Sequence, residues 1–416
     1  MIVAGGTYHE RVTIPSYEGL FGSGLRAAAA LGPGACTLVS AVDDLSAPMA
    51  AATFATLKVS AQIVQRDQPV RFRYMTPMSP PAIDGPTASV SEPLSADDDT
   101  ALVFGMIEQA QRRIRGGRVV FDPQQPRGLQ GLNTTGIEAD ELVVIANARE
   151  ARALTAGERD LAAAAQRIGA QSGAVAVIIK DSASGCIVAD IHGGQVHRIG
   201  AFPTESVWPL GSGDIFAAGF THAWHHGADV VQAARTGSAS AAWWASTTTT
   251  PVPAAILAGE SPLGHHRGIS DELPPVDSRS TIYLAGPFFS LAQRWLVETC
   301  RDALTGLGVR VFSPLHEVGP GGDEVAGPDL DGLRGCSAVL ALLDGWDPGT
   351  VYEVGWARHQ DVPVAGLISD ISNEGTKMLV GTGVELHQDL SSALYRAAWA
   401  AQGLPLLPKR IHSRPQ

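Results

Sequence analysis

The chain of 416 residues is poor in cysteine: its four, Cys36, Cys186, Cys300 and Cys336, are scattered so widely that no C-x-x-C pair exists. That excludes a dense disulfide framework and the common zinc spacings, and it fits a reducing compartment. No apolar run approaches the roughly 20 residues needed to cross a bilayer. The opening MIVAGGTYHE also lacks a basic stretch ahead of an apolar core. A soluble cytoplasmic protein with no membrane partner is expected. Basic residues are in deficit, 30 Lys and Arg against 42 Asp and Glu, for a net charge of −12. A polyanionic partner calls for a basic surface, so nucleic acid is set aside and a small solute is the expected ligand.

What is present is length enough for two domains, each able to bury its own core. Up to about residue 257 short β-branched runs alternate with Ala-rich helical stretches. Residues 258–279 then bring Gly, Pro, Ser and charge without apolar periodicity, which marks a linker. TIYLAG (281–286) reads as a fresh buried strand, and alternation resumes to the end, so residues 280–416 form a second domain. Both halves read as α/β with mainly parallel sheets. Strands are expected at 36–42, 117–123, 141–147 and 174–180, and a helix at 97–114 behind the acidic run Asp97 to Asp99. Asp122, Asn147 and Lys180 stand at the carboxyl ends of three strands, where open α/β sheets bind ligands.

WPLGSGDIFAAGF (208–220) sets Asp214 directly behind Gly211 and Gly213 and ahead of an apolar run with helical spacing. The glycines permit a tight turn with exposed N–H groups, and the helix start adds partial positive charge, which together suit a phosphoryl group. A carboxylate beside that turn can accept the proton of an attacking hydroxyl. The plainer reading is a helix cap after a Gly turn, and the string alone does not separate the two.

Four elements in order, FGSGLRAAAALG (21–32), VVFDP (119–123), NARE (147–150) and GSGD with IFAAGF (211–220), resemble the signatures of the PfkB or ribokinase-like family of sugar and nucleoside kinases. The resemblance covers about residues 1–257. It implies a ribokinase-like three-layer α/β/α domain using ATP and Mg²⁺. Asp214 would be the catalytic base, and Gly211, Ser212 and Gly213 the anion hole. Asn147 and Glu150 would form the phosphate and magnesium element, Glu150 acting through water, while Lys180 and Ser182 would contact the nucleotide. Glu10 and Arg26 would face the acceptor. Four departures stand out. Trp208 and Pro209 replace the usual Asp-Thr pair, Arg26 stands where a sugar-binding Asn is common, and Ser182 replaces a loop glycine. The amino-terminal region is also short for the family's sugar-covering lid strands. Substrate choice, and the choice between phosphoryl transfer and nucleotide sensing, stay open.

In the second half, LLDGWDPGTVYEVGWA (342–357) puts Asp347 six residues before Glu353, across a Gly-Thr turn that leads into an apolar helix. A carboxylate at a cleft edge can attack a glycosidic carbon and form a covalent glycosyl intermediate without metal or cofactor. An ordinary turn former followed by a solvated helix residue is the alternative. IYLAGPFF (282–289), DLDGLRGCSAVLALLDG (329–345) and DPGTVYEVGWA (347–357) resemble, in order, three motifs of the nucleoside 2-deoxyribosyltransferase family, over about residues 280–400. That implies a flavodoxin-like parallel sheet with Glu353 as nucleophile, Tyr283 orienting it and Asp329 handling the base. Asp347 and Gly286 would face the sugar. In this family an Asp six residues before the nucleophile goes with free nucleosides and a Ser with nucleoside monophosphates. Asp347 would repel a phosphate at close range, so an unphosphorylated nucleoside is expected. His316, Arg334 and Ser337 are the remaining phosphate candidates.

The histidine pairs His225, His226 and His265, His266 lack a ligand spacing with a third residue and read as helix end and linker. Trp243 and Trp244 read as packing residues. The fusion suggests a bifunctional enzyme acting on nucleosides, nucleobases or pentoses. Assembly into a homo-oligomer is expected, with a neighbour approaching residues 373–383.

Overall fold

The computed structural model describes residues 1–85, 87–108, 110–124, 132–260, 268–274, 280–369 and 372–411. The chain forms two compact units. The first is Met1–Asp181, Gly185–Phe202 and Trp208–Glu272; the second is Leu273–Gln416 with two short pieces of earlier sequence, Ser182–Ser184 and Pro203–Val207. Among the described residues no helix is long and apolar enough to cross a membrane.

The first unit contains strands β1 (Ile2–Ala4), β2 (Tyr8–Val12), β3 (Tyr17–Phe21), β4 (Thr37–Val42), β5 (Ser60–Gln65), β6 (Arg71–Tyr74) and β7 (Ala82–Asp84). It continues with β8 (Leu94–Asp97), β9 (Thr100–Phe104), β10 (Arg112–Asp122), β11 (Ile137–Asn147), β12 (Ala176–Lys180), β13 (Cys186–Asp190) and β14 (Gln195–Ile199). Its helices are α1 (Ser23–Leu31), α2 (Ala47–Leu57), α3 (Ala148–Leu154), α4 (Leu161–Ser172), α5 (Ser212–His225), α6 (Val230–Thr247) and α7 (Ala254–Leu257). The main sheet runs β14-β13-β12-β11-β10-β9-β1-β4-β5, with β8 also pairing β10. All pairings are parallel except those of the β12-β13-β14 edge.

Period-two alternation sends Val3, Leu102, Phe104, Val120 and Ile145 to a core shared with α1, α5, α6 and α7. Val144, Val177 and Ile179 pack instead on α3 and α4, so helices cover both faces. This is the expected three-layer α/β/α arrangement. Trp244 is 2 % exposed and its indole N–H donates to Leu210 O at 2.8 Å, while Trp243 packs on the rim of the same core. His225 and His226 end α5 exposed, whereas His265 and His266 lie outside the described residues.

Two expectations are corrected. Residues 97–114 are not a helix: β9 and the start of β10 lie there, and Asp98 and Asp99 form the turn between β8 and β9. TALVF is buried at all five positions because both sheet faces are covered, and a strand buried on both sides carries no alternation to distinguish it from a buried helix. The amino-terminal region is also long enough for a separate small sheet, ordered β3-β2-β6-β7, whose strands are spread over residues 8–84. Glu10 lies on its central strand β2 and is 4 % exposed.

The second unit holds β15 (Thr281–Ala285), β16 (Arg310–Phe312), β17 (Ala338–Leu342), β18 (Val364–Leu367), β19 (Glu385–His387) and β20 (Arg410–Ile411). Helices α8 (Leu291–Gly306), α9 (Pro314–Glu317), α10 (Ala326–Arg334), α11 (Pro348–His359), α12 (Asn373–Gly381) and α13 (Leu390–Ala401) connect them. The sheet order β16-β15-β17-β18-β19-β20 is parallel throughout. Counted within the unit this is 2-1-3-4-5-6, the flavodoxin-like order, whose ligand crevice opens between the first and third strands. Tyr283, Val339 and Ala341 face a core with Leu333 of α10 and Val354 and Ala357 of α11. Helices α8 and α13 pack on the sheet as well.

A buried ionic network ties β19 to α13. Arg396 donates from Nε to Glu385 Oε1 at 2.6 Å and from Nη2 to Oε2 at 3.0 Å, with His387 Nε2 2.9 Å from Oε1. Burial raises the Glu385 carboxyl, but the hydrogen bonds of His387 and Arg396 outweigh it and hold the group down at about 2.

Candidate functional site

In the first unit the parallel register brings three strand ends together, Asn147 of β11 pairing with Lys180 of β12 beside the end of β10 at Asp122. Lys180 Nζ lies 2.7 Å from Asp122 Oδ2 and 3.5 Å from Gly213 O. The Asp122 carboxylate is fully buried, so this pair holds only because each charge has its partner. Asn147 caps α3 in a reciprocal box: its Oδ1 accepts from Glu150 N and its own N–H donates to Glu150 Oε2, both at 2.9 Å. Burial, then the Asp122 charge, push the Glu150 carboxyl up to about 7.

Magnesium takes an oxygen shell at about 2.0–2.1 Å and keeps several waters. Asp122 is bound to an ammonium and Glu150 has one oxygen in the α3 cap. Among the described residues no group of three or more His, Cys, Asp or Glu could hold a metal ion. The donors would fit magnesium only as an ion carried by phosphates, and the α3 cap uses Oε2 of Glu150 alone.

Gly211, at φ +83°, turns the chain into α5. The Ser212 N–H donates to Pro209 O and the Asp214 N–H to Gly211 O, both at 3.1 Å. The Ser212 amide is therefore engaged within the turn, and Gly211 and Gly213 are the other two members of the expected anion hole. Asp214 is 6 % exposed and held from two sides: Arg26 Nη1 donates to Oδ2 and Gln124 Nε2 to Oδ1, each at 2.6 Å. Arg26 also pairs through Nη2 with Glu10 Oε2, and Glu10 Oε1 accepts from Gly22 N at 3.1 Å. Burial raises the Glu10 carboxyl despite the guanidinium beside it. Asp214, Arg26 and Glu10 thus meet in one ion-paired cluster. Ser182 opens the 3-10 turn Ser182–Ser184, two residues after Lys180 ends β12. Gln124 was not foreseen, because a lone Gln two residues past a strand end carries no periodic signal.

In the second unit β15 carries Tyr283 beneath α11, and the Tyr283 hydroxyl donates to Glu353 Oε1 at 2.6 Å. Tyr283 is fully buried and stacks on Phe312 with centroids 5.5 Å apart. Burial, then the Glu353 charge, raise its hydroxyl far above the ordinary phenol range. Burial, with Asp329 and Asp347 adding like charge, pushes the Glu353 carboxyl up to about 7 against the Tyr283 hydrogen bond. Asp329 lies on α10; its carboxyl is raised by burial and its Oδ1 is buried without a hydrogen-bond partner. Asp347 caps α11, its Oδ2 accepting from Thr350 N and Oγ1, both at 2.8 Å. Gly286 follows β15 where an added Cβ would press on the Leu342 side chain at 3.0 Å. Of the phosphate candidates, Arg334 and Ser337 lie before the amino end of β17, opposite the crevice, and Arg334 pairs with Asp331. His316 lies 2.9 Å from Glu298.

The model of the pfkB family carbohydrate kinases matches residues 109–254, and that of nucleoside 2-deoxyribosyltransferase matches residues 282–390. No curated protein shows significant similarity to the chain. Among solved structures, a nucleoside kinase from Burkholderia thailandensis is 16 % identical with a TM-score of 0.46, over 62 % of this chain and 99 % of its own. Ribokinase from Thermotoga maritima is 16 % identical with a TM-score of 0.44, over 62 % and 94 %. Phosphofructokinase-2 from Escherichia coli is 13 % identical with a TM-score of 0.42, over 61 % and 95 %. The chain therefore carries a pfkB family carbohydrate kinase domain followed by a nucleoside 2-deoxyribosyltransferase domain.

Proposed function

We propose that the second domain breaks the N-glycosidic bond of an unphosphorylated nucleoside by covalent catalysis, with Glu353 as nucleophile. The ionised carboxylate attacks the anomeric carbon, the bond to the base breaks, and a glycosyl ester forms on Glu353. A second base, or water, then attacks the same carbon and frees the carboxylate. Tyr283 holds Oε1, so that Oε2 is the oxygen presented to the sugar. Asp329, with a raised carboxyl and an unpartnered Oδ1, is suited to give the departing base its proton. The α11 cap uses only Oδ2 of Asp347, leaving Oδ1 for a sugar hydroxyl. The Tyr283 to Glu353 hydrogen bond carries this reading. Its test is chromatography of free base released from ribo- and deoxynucleosides and their 5′-monophosphates, with and without an acceptor base. Release that requires Glu353 supports it, and equal release by Glu353→Ala refutes it.

For the first domain the reading is transfer of the ATP γ-phosphate to a sugar or nucleoside hydroxyl, with Asp214 as base and the α5 turn and Lys180 toward the phosphates. Magnesium would neutralise phosphate charge. A second reading, nucleotide binding without transfer, is favoured by the pairing of Asp214 with Arg26. A homo-oligomer in which a neighbour approaches α12 completes the proposal, and sedimentation tests it.

A further inference from the structure

The acceptor side of the first domain's site is filled from within. The Arg26 side chain is 3 % exposed and reaches Glu10 with one terminal nitrogen and Asp214 with the other. Its Cζ lies 5.5 Å from the ring centroids of both Phe21 and Trp244. A Cβ added to Gly211 would come within 2.3 Å of Arg26 Nε, so the guanidinium rests directly on the turn that opens α5. Nε itself is buried with no partner, so the group is held for its charge and its two forks more than for complete hydrogen bonding.

An attacking hydroxyl must come within hydrogen-bond distance of the base. Both oxygens of Asp214 already accept, Oδ2 from Arg26 and Oδ1 from Gln124. To reach Oδ2 a sugar would have to displace Arg26, leaving two buried carboxylates, Glu10 and Asp214, without the guanidinium they share. Neutral hydroxyls cannot replace that charge.

We propose that Arg26 is a built-in occupant of the acceptor site, which makes the first domain bind a nucleoside triphosphate without passing its phosphate to a neutral sugar or nucleoside. This takes the second reading of the domain, nucleotide binding without transfer, in place of the first, and rests on the domain being a nucleotide-binding kinase fold. The step Arg26 prevents is an ordinary one. An acceptor O–H gives its proton to Asp214, its oxygen bonds to the γ-phosphorus, and the bond from that phosphorus to the β,γ-bridging oxygen breaks to release the diphosphate.

The test uses the full chain with ATP and magnesium. Nucleotide binding is measured by calorimetry, and ADP release is followed with and without D-ribose, 2-deoxyribose, adenosine, guanosine, cytidine or uridine. Wild type is expected to bind ATP with no acceptor-dependent ADP release. Arg26→Asn is expected to bind ATP within about threefold of wild type and to raise release with at least one acceptor by tenfold or more. Arg26→Asn with Asp214→Asn should lose that gain. If Arg26→Asn fails to fold, Arg26→Lys, too short to span both carboxylates, should show the same change at smaller amplitude. ATP binding accompanied by acceptor-dependent release in wild type, or by no gain in any folded Arg26 variant, overturns the proposal alone. Absence of ATP binding in every form overturns the nucleotide-binding reading beneath it.

Discussion

Tyr283 donates its hydroxyl to Glu353 Oε1 at 2.6 Å across 70 residues of sequence, joining the first strand of the second sheet to the helix after the third. Glu353→Ala is expected to abolish base release. Tyr283→Phe should leave KM within about threefold and lower kcat by about 10²-fold, since a nucleophile released by ångströms loses its attack geometry. Steady-state kinetics on a cleaved nucleoside separate the two parameters.

The acid side of the pH dependence has a definite sign. As the proposed nucleophile Glu353 must be ionised, and burial holds it at about 7, so kcat should rise with pH on its acid limb and fall again as Asp329, the proposed proton donor, is ionised. On the acid limb the rate should fall roughly tenfold per pH unit. For stability the sign is opposite. Between about 4.5 and about 7 the folded chain holds a proton the unfolded chain has lost, so this group lowers stability as pH rises through that window. Urea unfolding across it should show a shallower pH slope in Glu353→Gln.

Asp347→Ser keeps an oxygen to cap α11 while removing the charge. Its expected outcome is release of base from nucleoside 5′-monophosphates that wild type leaves intact, with a melting temperature close to wild type. Asp347→Ala should lose the cap and about 1 kcal/mol of stability without gaining the monophosphates. Parallel assays of the two variants distinguish charge from capping.

Arg396→Ala should destabilise the second domain by about 3–5 kcal/mol, because it leaves Glu385 buried without its fork partner. The carboxyl, held at about 2, contributes stability that is present above about 4.5 and lost as pH falls toward about 2. The variant's acid transition should therefore begin at higher pH than that of wild type, as read by far-ultraviolet circular dichroism.

The sequence made legible the elements whose signals are local. Glycines before a helix located the turn at Gly211, and the strand ends at Asp122, Asn147 and Lys180 fall where the parallel sheet ends, whereas the Gly-Thr stretch expected as a turn is already the first turn of α11 because Asp347 caps the helix ahead of it. What stayed hidden depends on residues far apart in sequence. Strand β9 was mistaken for helix because neighbours on both faces bury it evenly, and nothing near Gln124 announces a partner 90 residues away. Arg26 was visible as an odd choice, but its ion pairs with Glu10 and Asp214 depend on the packing of α1 against α5.

The reciprocal cap of Asn147 and Glu150 serves the folding of α3 whatever the site above it does. A substitution at either residue would cost the helix its first-turn hydrogen bonds as well as any contact to a phosphate. The presence of the pair therefore reports a demand of folding and is no witness to turnover.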